Sequence, residues 1–219
     1  MCDLSKKPIR EVQIPSGNKV INGNLEIPEG AKGIVVFAHG SGSSRFSPRN
    51  NYVAKLMNDA KLATLLIDLL TAEEEAMDVY SGEYRFDVDL LANRLIDSTL
   101  WLKGNSPTKT LKIGYFGSST GAAAALIADA KKPEGIEAIV SRGGRPDLAK
   151  ENLPKVKAPT LLVVGGNDFE VLELNRQALE KINAPKALEV VPGATHLFEE
   201  PGKLDEVATL AIDWFLKYL

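Results

Sequence analysis

The chain has 219 residues, of which 44% are hydrophobic and 25% are charged. This composition is close to the globular average, and the length predicts one α/β domain over residues 1–219. The 26 basic and 29 acidic residues give a formal charge of −3. A charge this small gives no reason to expect nucleic acid or an anionic membrane as a partner.

The chain has one cysteine, Cys2, which cannot form an internal disulfide and fits a reducing compartment. The sequence has no apolar run of about 18 residues and no signal-peptide pattern. We therefore expect a cytoplasmic protein that acts on a small-molecule substrate, as a monomer or a small homo-oligomer.

The predicted elements begin with two short strands, residues 12–13 and 19–27, joined by a turn at Pro15-Ser16-Gly17-Asn18. Ser47 before Pro48 predicts a helix start, with serine as the N-cap and proline at the first helical position. The other predicted strands are residues 33–37, 62–67, 111–116, 136–141, 160–164 and 188–191, and the later helices are residues 86–103, 120–130, 171–182 and 204–219.

Two connections differ from this alternation of strands and helices. Residues 70–85 are polar and are expected to be irregular. Residues 141–157 hold about one short turn or helix, which is too little for a large lid, so we expect an open, shallow site. The alternation itself predicts a mostly parallel, doubly wound sheet with an antiparallel N-terminal strand pair. In such sheets the ligand site lies at the carboxyl ends of the strands.

The most informative motif is Gly117-Ser118-Ser119-Thr120-Gly121, between a predicted strand and an Ala-rich helix. A serine at the centre of a small-x-Ser-x-small pattern sits on a sharp turn with its hydroxyl above the sheet edge. Ser119 has a glycine two residues away on both sides, whereas Ser118 would have the bulky Phe116 as one of these neighbours. Ser119 is therefore the predicted nucleophile.

A serine hydroxyl needs a base, and the chain has two histidines, His39 and His196. His196 follows the predicted strand 188–191, and Asp168 follows the strand 160–164. The order Ser119, Asp168, His196 is the chain order of a catalytic triad on an α/β-hydrolase sheet. Asp68, at the end of its own strand, is the alternative for the acid.

The loop His39-Gly40-Ser41-Gly42 follows the predicted strand 33–37 and suits an oxyanion hole. We expect the backbone N–H groups of Ser41 and Thr120 to stabilise the oxyanion, and His39 to shape the loop. A phosphate-binding loop is disfavoured because neither the P-loop nor the dinucleotide-binding glycine pattern is present. Two histidines and one cysteine, widely separated, form no metal-ligand cluster, so we expect no metal and no cofactor.

Arg142 and Arg145 follow the predicted strand 136–141, on the same rim as the triad. An arginine there could hold a substrate carboxylate in bidentate fashion. The alternative, slightly favoured, is that Arg142 pairs with a neighbouring carboxylate and fixes its loop. The charge run Glu73-Glu74-Glu75 is expected to be a solvated helix start, although one of these residues could pair with Arg142.

The chain resembles the α/β-hydrolase superfamily, and within it the small lidless members similar to dienelactone hydrolases. The matching segments are His39-Gly40-Ser41-Gly42, Gly117 to Gly121, Gly166-Asn167-Asp168 and Gly193-Ala194-Thr195-His196. The resemblance runs from about residue 33 to the C-terminus, and it implies a serine enzyme that works through an acyl-enzyme. Dienelactone hydrolases proper use a cysteine nucleophile, where this chain has Ser119, so their lactone substrate is not carried over.

The leading functional hypothesis is a serine hydrolase that cleaves an ester, thioester or lactone of a small substrate. An acyltransferase would use the same triad and the same first step. A catalytically silent binding protein is the third hypothesis, and the intact Ser119, Asp168 and His196 argue against it.

Overall fold

The computed structural model describes residues 9–132 and 134–219, so Cys2 lies outside the described residues. These residues form one sheet of eight strands in the order β1-β2-β4-β3-β5-β6-β7-β8. The first strand pairs antiparallel with the second and the second antiparallel with the fourth, and all other neighbours are parallel. The strands are β1 Arg10–Ser16, β2 Lys19–Glu26, β3 Gly33–Ala38, β4 Leu62–Ile67, β5 Lys112–Ser118, β6 Ile136–Arg142, β7 Thr160–Gly165 and β8 Lys186–Val191.

Helices cover both faces of the sheet. They are α1 Pro48–Asp59, α2 Ala72–Ser81, α3 Glu83–Phe86, α4 Val88–Gly104, α5 Thr120–Lys131, α6 Phe169–Lys181 and α7 Lys203–Tyr218, with a 3-10 helix at Pro146–Lys155. This is the α/β-hydrolase fold, and the prediction of a mostly parallel sheet with an antiparallel N-terminal pair is confirmed. The single domain over residues 1–219 stays a prediction.

The core consists of two apolar clusters, one on each face of the sheet. Alternate residues of a strand point to opposite faces, so β3 contributes Ile34 and Val36 to one cluster and Val35 and Phe37 to the other. One cluster lies under α4 and α5, and the other under α1 and α7. Because β3, β4 and β7 are buried along their whole length, their sequences are apolar without alternation.

The expectation that residues 70–85 are irregular is wrong, because α2 and α3 occupy most of this segment. The hydroxyl of Thr71 accepts a hydrogen bond from the Glu74 N–H, and the Glu74 carboxylate accepts one from the Thr71 N–H. This reciprocal capping box satisfies two helix-end donors and fixes the start of α2. Gly82, with a φ of 67°, ends the helix in the left-handed conformation.

The connection between β6 and β7 contains the 3-10 helix Pro146–Lys155 and no large insertion, as predicted. The predicted start of α1 is also observed, since the Ser47 hydroxyl accepts a hydrogen bond from the Asn50 N–H. The parallel strands end at a common edge, where the loops that carry Ser41, Ser119, Asp168 and His196 meet.

Candidate active site

Ser119 lies on the turn between β5 and α5, in a strained backbone conformation with φ 50° and ψ −120°. The glycines on either side are required by close packing. A Cβ added to Gly117 would lie 2.4 Å from the Ala122 Cα, and one added to Gly121 would lie 2.2 Å from the Ala38 carbonyl oxygen. The turn therefore accepts only glycine at both positions, and the strain is held by the packed strand and helix.

The two adjacent serines have different surroundings. Ser118 is buried, and its hydroxyl donates a hydrogen bond to the Asn50 side-chain oxygen over 3.2 Å. Ser119 is half-buried, and both serines line a cavity of about 210 Å³ together with His196. We call this space the Ser119 cavity. Because the Ser118 hydroxyl is buried and bonded to Asn50, the half-buried Ser119 is the serine with the better access to a ligand and to a base.

His196 and Asp168 are joined by a hydrogen bond of 2.7 Å between Nδ1 of the imidazole and Oδ2 of the carboxylate. Asp168 follows β7 and His196 follows β8, and these two strands are parallel neighbours. Because the carboxylate accepts the proton on Nδ1, Nε2 is left as the basic nitrogen.

His39 and Asp68 have other partners. The Nε2 atom of His39 accepts a hydrogen bond from the Leu69 N–H over 3.1 Å, and its Nδ1 donates to the Gly40 carbonyl over 2.9 Å. Burial lowers the pKa of His39, so both contacts hold the neutral imidazole. The carboxylate of Asp68 binds the side chain of Arg45 and accepts from the Arg45 N–H. His39 thus fixes the loop, and Asp68 is the weaker candidate for the acid.

The loop after β3 passes directly beside Ser119, since a Cβ added to Gly40 would lie 3.0 Å from the Ser119 Cβ. Thr120 is the first residue of α5, where the leading N–H groups of a helix lack intrahelical partners. Within the described residues, neither the Ser41 N–H nor the Thr120 N–H has an acceptor. Both amides are therefore available to a ligand.

The two arginines predicted on the rim have different surroundings. Arg145 forms two hydrogen bonds to the carboxylate of Asp147, of 2.9 and 2.8 Å, and it is absent from the lining of the Ser119 cavity. Arg142 lines that cavity and is 7% exposed. Its Nε and Nη1 atoms are buried and have no partner among the described residues. Burial, together with the nearby charge of Arg49, lowers the pKa of Arg142 to about 10.

The glutamates of the charge run do not neutralise Arg142. The run lies in the first turn of α2, which confirms the predicted helix start, but the expectation that it is solvated is wrong for Glu74, which is buried and pairs with Arg94 over 2.7 Å. Arg49 was missed by the sequence analysis, and it lines the Ser119 cavity from the first turn of α1. Its Nη1 binds the exposed Glu199, and its Nε is buried without a partner among the described residues. In the sequence, the one indication of a role for Arg49 is that it follows Ser47-Pro48, at the start of a predicted helix.

A second cavity of about 200 Å³ shares Gly40, Ser41 and Ser43 with the Ser119 cavity and lies against α2; we call it the α2 cavity. It reaches Ser41 and Thr120, and its apolar lining comes from Leu69, Leu70, Val79 and Leu91. The carboxylates of Asp68, Glu75 and Asp78 also line it. The helix α2, of which the sequence predicted only the start at Glu73-Glu74-Glu75, therefore forms a wall beside the site.

The sequence comparison with protein families identifies this architecture. The model of the dienelactone hydrolase family matches residues 21–217. The chain belongs to the dienelactone hydrolase family. The crystal structure of a dienelactone hydrolase from Anabaena variabilis is 57% identical, with a TM-score of 0.95, over 97% of this chain and 98% of that chain. Membership of this family supports an enzyme of the hydrolase kind.

Est1E from Butyrivibrio proteoclasticus shares the fold, with a TM-score of 0.78 over 94% of this chain and 98% of that chain, at 15% identity. A Mycobacterium tuberculosis protein named "Putative phosphoribosyl transferase Rv0571c" is 56% identical over 214 residues, which are 97% of this chain and 47% of that protein. This chain thus spans about half the length of that curated relative. Among its described residues, no helix is long and apolar enough to cross a membrane.

Proposed function

We propose that this member of the dienelactone hydrolase family is a serine hydrolase that cleaves an ester, thioester or lactone of a small substrate. The proposal rests on one observation above all. The His196–Asp168 hydrogen bond lies beside a serine on a strained strand-to-helix turn, and that serine and His196 face the same cavity. A cavity of about 210 Å³ is below the roughly 300–1,000 Å³ of pockets for drug-sized ligands, which favours a small substrate.

In the first step of the proposed reaction, Ser119 Oγ attacks the carbonyl carbon while Nε2 of His196 takes the hydroxyl proton. The N–H groups of Ser41 and Thr120 stabilise the oxyanion that forms. The bond to the leaving group then breaks, and His196 gives its proton to the departing alcohol or thiol. A water molecule, deprotonated by His196, attacks the acyl-enzyme; as the bond to Ser119 Oγ breaks, His196 returns the proton to that oxygen, which releases the acid and restores Ser119.

Asp168 orients the imidazole through the Nδ1 proton and stabilises the imidazolium. We further propose that Arg142 contacts the substrate, because it lines the Ser119 cavity without a partner of its own. Arg145 is assigned a structural role in its loop, since its Nε and Nη2 both donate hydrogen bonds to the Asp147 carboxylate. The expectations of a cytoplasmic location and of no nucleic-acid or membrane partner rest on composition and stay predictions.

An acyltransferase would share every step up to the acyl-enzyme. It differs in the second step, in which an alcohol or thiol, and not water, attacks the acyl-enzyme. Product analysis with and without an added alcohol separates the two. We do not extend the phosphoribosyl transferase name to this chain, because the chain spans about half of that relative and the family match covers residues 21–217.

Covalent labelling with a fluorophosphonate tests the proposed triad. We expect mass spectrometry to find the label on Ser119, its loss in Ser119→Ala, and its retention in the matched variant Ser118→Ala.

Asp168→Asn should lower the turnover of a neutral ester by about 10³- to 10⁴-fold, the cost of a wrongly oriented imidazole. Asp68→Asn, which changes the alternative acid, should lower it by less than about tenfold. A label on Ser118, or a larger loss in Asp68→Asn, contradicts the assignment.

A further inference from the structure

The charges that line the Ser119 cavity are unbalanced. Arg49 and Arg142 both line it, and of the described residues that line it none is an aspartate or a glutamate. Nη1 of Arg49 is bound to the exposed Glu199 outside this lining, whereas its Nε has no partner among the described residues. The guanidinium of Arg142 is more than nine-tenths buried and has two donor atoms without an acceptor. A buried charge is costly unless it is paired, so this arrangement points to an anion supplied by a ligand.

The first turn of α1 contributes to the same wall. Ser47, Arg49 and Asn50 line the cavity where this helix of 12 residues begins. The start of a helix carries a partial positive charge and free N–H groups, and it favours anions. Pro48 has no N–H, and among the described residues the Arg49 N–H has no acceptor. The unpartnered guanidinium of Arg142 lines the same cavity as this helix end.

We infer that the Ser119 cavity binds a phosphate group of the substrate between Arg49, Arg142 and the first turn of α1. This inference rests on the proposed function for the identity of the reaction. A phosphate monoester carries about −1.5 to −2 charges at neutral pH and offers three acceptor oxygens. The unpaired guanidinium of Arg142 and the unpartnered Nε of Arg49 come from separate elements and together offer donors to three oxygens, whereas one guanidinium satisfies a carboxylate in bidentate fashion.

The position of His196 shows which end of the substrate carries the phosphate. His196 gives its proton to the leaving group, so it must lie beside the leaving group, and it lines the cavity that holds both arginines. The phosphate therefore belongs to the alcohol portion. The acyl portion goes to the α2 cavity, whose apolar lining reaches the Ser41 and Thr120 amides. Of the carboxylates there, Asp68 is paired with Arg45 and Asp78 with Arg85, which also lines the cavity, so Glu75 leaves it with a net negative charge that disfavours a phosphate.

Three acetate esters that differ only in the alcohol test this assignment: those of 3-hydroxypropyl phosphate, 4-hydroxybutanoate and n-butanol. We expect kcat/KM for the phosphate ester to exceed that for the butyl ester by about 10- to 100-fold, the range for charge-assisted hydrogen bonds. Arg142→Gln and the more exposed Arg49→Gln should each reduce this ratio at least about tenfold. Arg176→Ala, which removes an exposed arginine of α6, should leave it unchanged.

Equal rates for the phosphate and butyl esters, or a carboxylate ester that is cleaved as fast as the phosphate ester, would overturn the inference and leave the serine mechanism standing. If no ester is cleaved and Ser119 takes no label, the proposed hydrolase function is wrong, whatever the cavity binds. Calorimetry with inorganic phosphate then tests whether the Ser119 cavity binds phosphate. Binding that weakens at least about tenfold in Arg142→Gln and Arg49→Gln, but not in Arg176→Ala, supports the phosphate site, and any other result overturns it.

Discussion

At the scale of single residues, hydrogen bonds separate side chains that look equivalent in the sequence. Ser118 and Ser119 are adjacent and line the same cavity, but the Ser118 hydroxyl is buried and bonded to Asn50, while Ser119 is half-buried. The two histidines differ in the same way. Both ring nitrogens of His39 are held by backbone groups, whereas His196 is bonded through Nδ1 to a carboxylate and keeps Nε2 free to act.

The buried His39 makes the stability of the protein depend on pH. Its pKa in the folded chain lies below the ordinary value of about 6.5, because burial outweighs the nearby carboxylates of Asp68 and Glu75. The unfolded chain therefore binds more protons as pH falls below about 6.5, and this contribution to stability is lost toward acid pH. We expect the free energy of unfolding to fall more steeply between about pH 7.5 and pH 5 in the wild type than in His39→Gln.

Urea unfolding at both pH values measures this difference. Glutamine keeps an acceptor for the Leu69 N–H but does not titrate, so the variant isolates the imidazole from the carboxylates that also titrate in this range. Equal slopes for the two proteins would mean that His39 takes up a proton as readily in the folded chain as in the unfolded chain. Burial and the hydrogen bond from Leu69 would then not lower its pKa in solution.

At the scale of elements, the turn between β5 and α5 is determined by backbone contacts. An alanine at Gly121 would place its Cβ against the carbonyls of Ala38 and His39, and these belong to the end of β3 and the oxyanion loop. We expect Gly121→Ala to destabilise the fold by about 1–3 kcal/mol or more, as overpacking does, and to displace the loop. Gly104→Ala is the matched control, since nothing lies within 4 Å of its added Cβ.

Thermal unfolding and fluorophosphonate labelling measure the two effects of Gly121→Ala separately. Gly104→Ala should be neutral or slightly stabilising, because alanine reduces the conformational freedom of the unfolded chain. If Gly121→Ala unfolds and labels like the wild type, the turn is less crowded than the contacts indicate. The small residues of the motif would then have another cause.

The sequence predicted most elements because their signals are local. The buried strand β4 was predicted at its observed bounds, Leu62–Ile67, and the N-cap of α1 from Ser47-Pro48. A helix start was predicted at Glu73-Glu74-Glu75, but the segment as a whole was expected to be irregular, although the capping box of α2, Thr71 followed three residues later by Glu74, is visible in the sequence. The ion pair between Glu74 and Arg94 that anchors α2 joins two helices and could not be predicted locally.

At the scale of the whole molecule, the arrangement of charge around the site depends on contacts between distant segments. Because parallel strands end at the same edge of a sheet, the sequence alone predicted that Ser119, Asp168 and His196 lie at one edge. The positions of the strand ends do not predict that Arg142 lacks a carboxylate partner among the described residues, or that Arg145 has one in Asp147. The partners of a long side chain are set by packing, and Arg49 reaches the cavity from a helix on another part of the chain.

The proposed phosphate site also makes a prediction about salt. The chain carries a formal charge of −3, which repels a phosphate ester at long range, while Arg49 and Arg142 attract it at the cavity. The Debye length falls from about 30 Å at 0.01 M salt to about 8 Å at 0.15 M. Because the arginines lie closest to the bound anion, we expect kcat/KM for the phosphate ester to fall over this range, and that for the butyl ester to stay constant. Arg142→Gln should flatten the dependence. A rise of kcat/KM with salt in the wild type would show that the overall negative charge outweighs the two arginines.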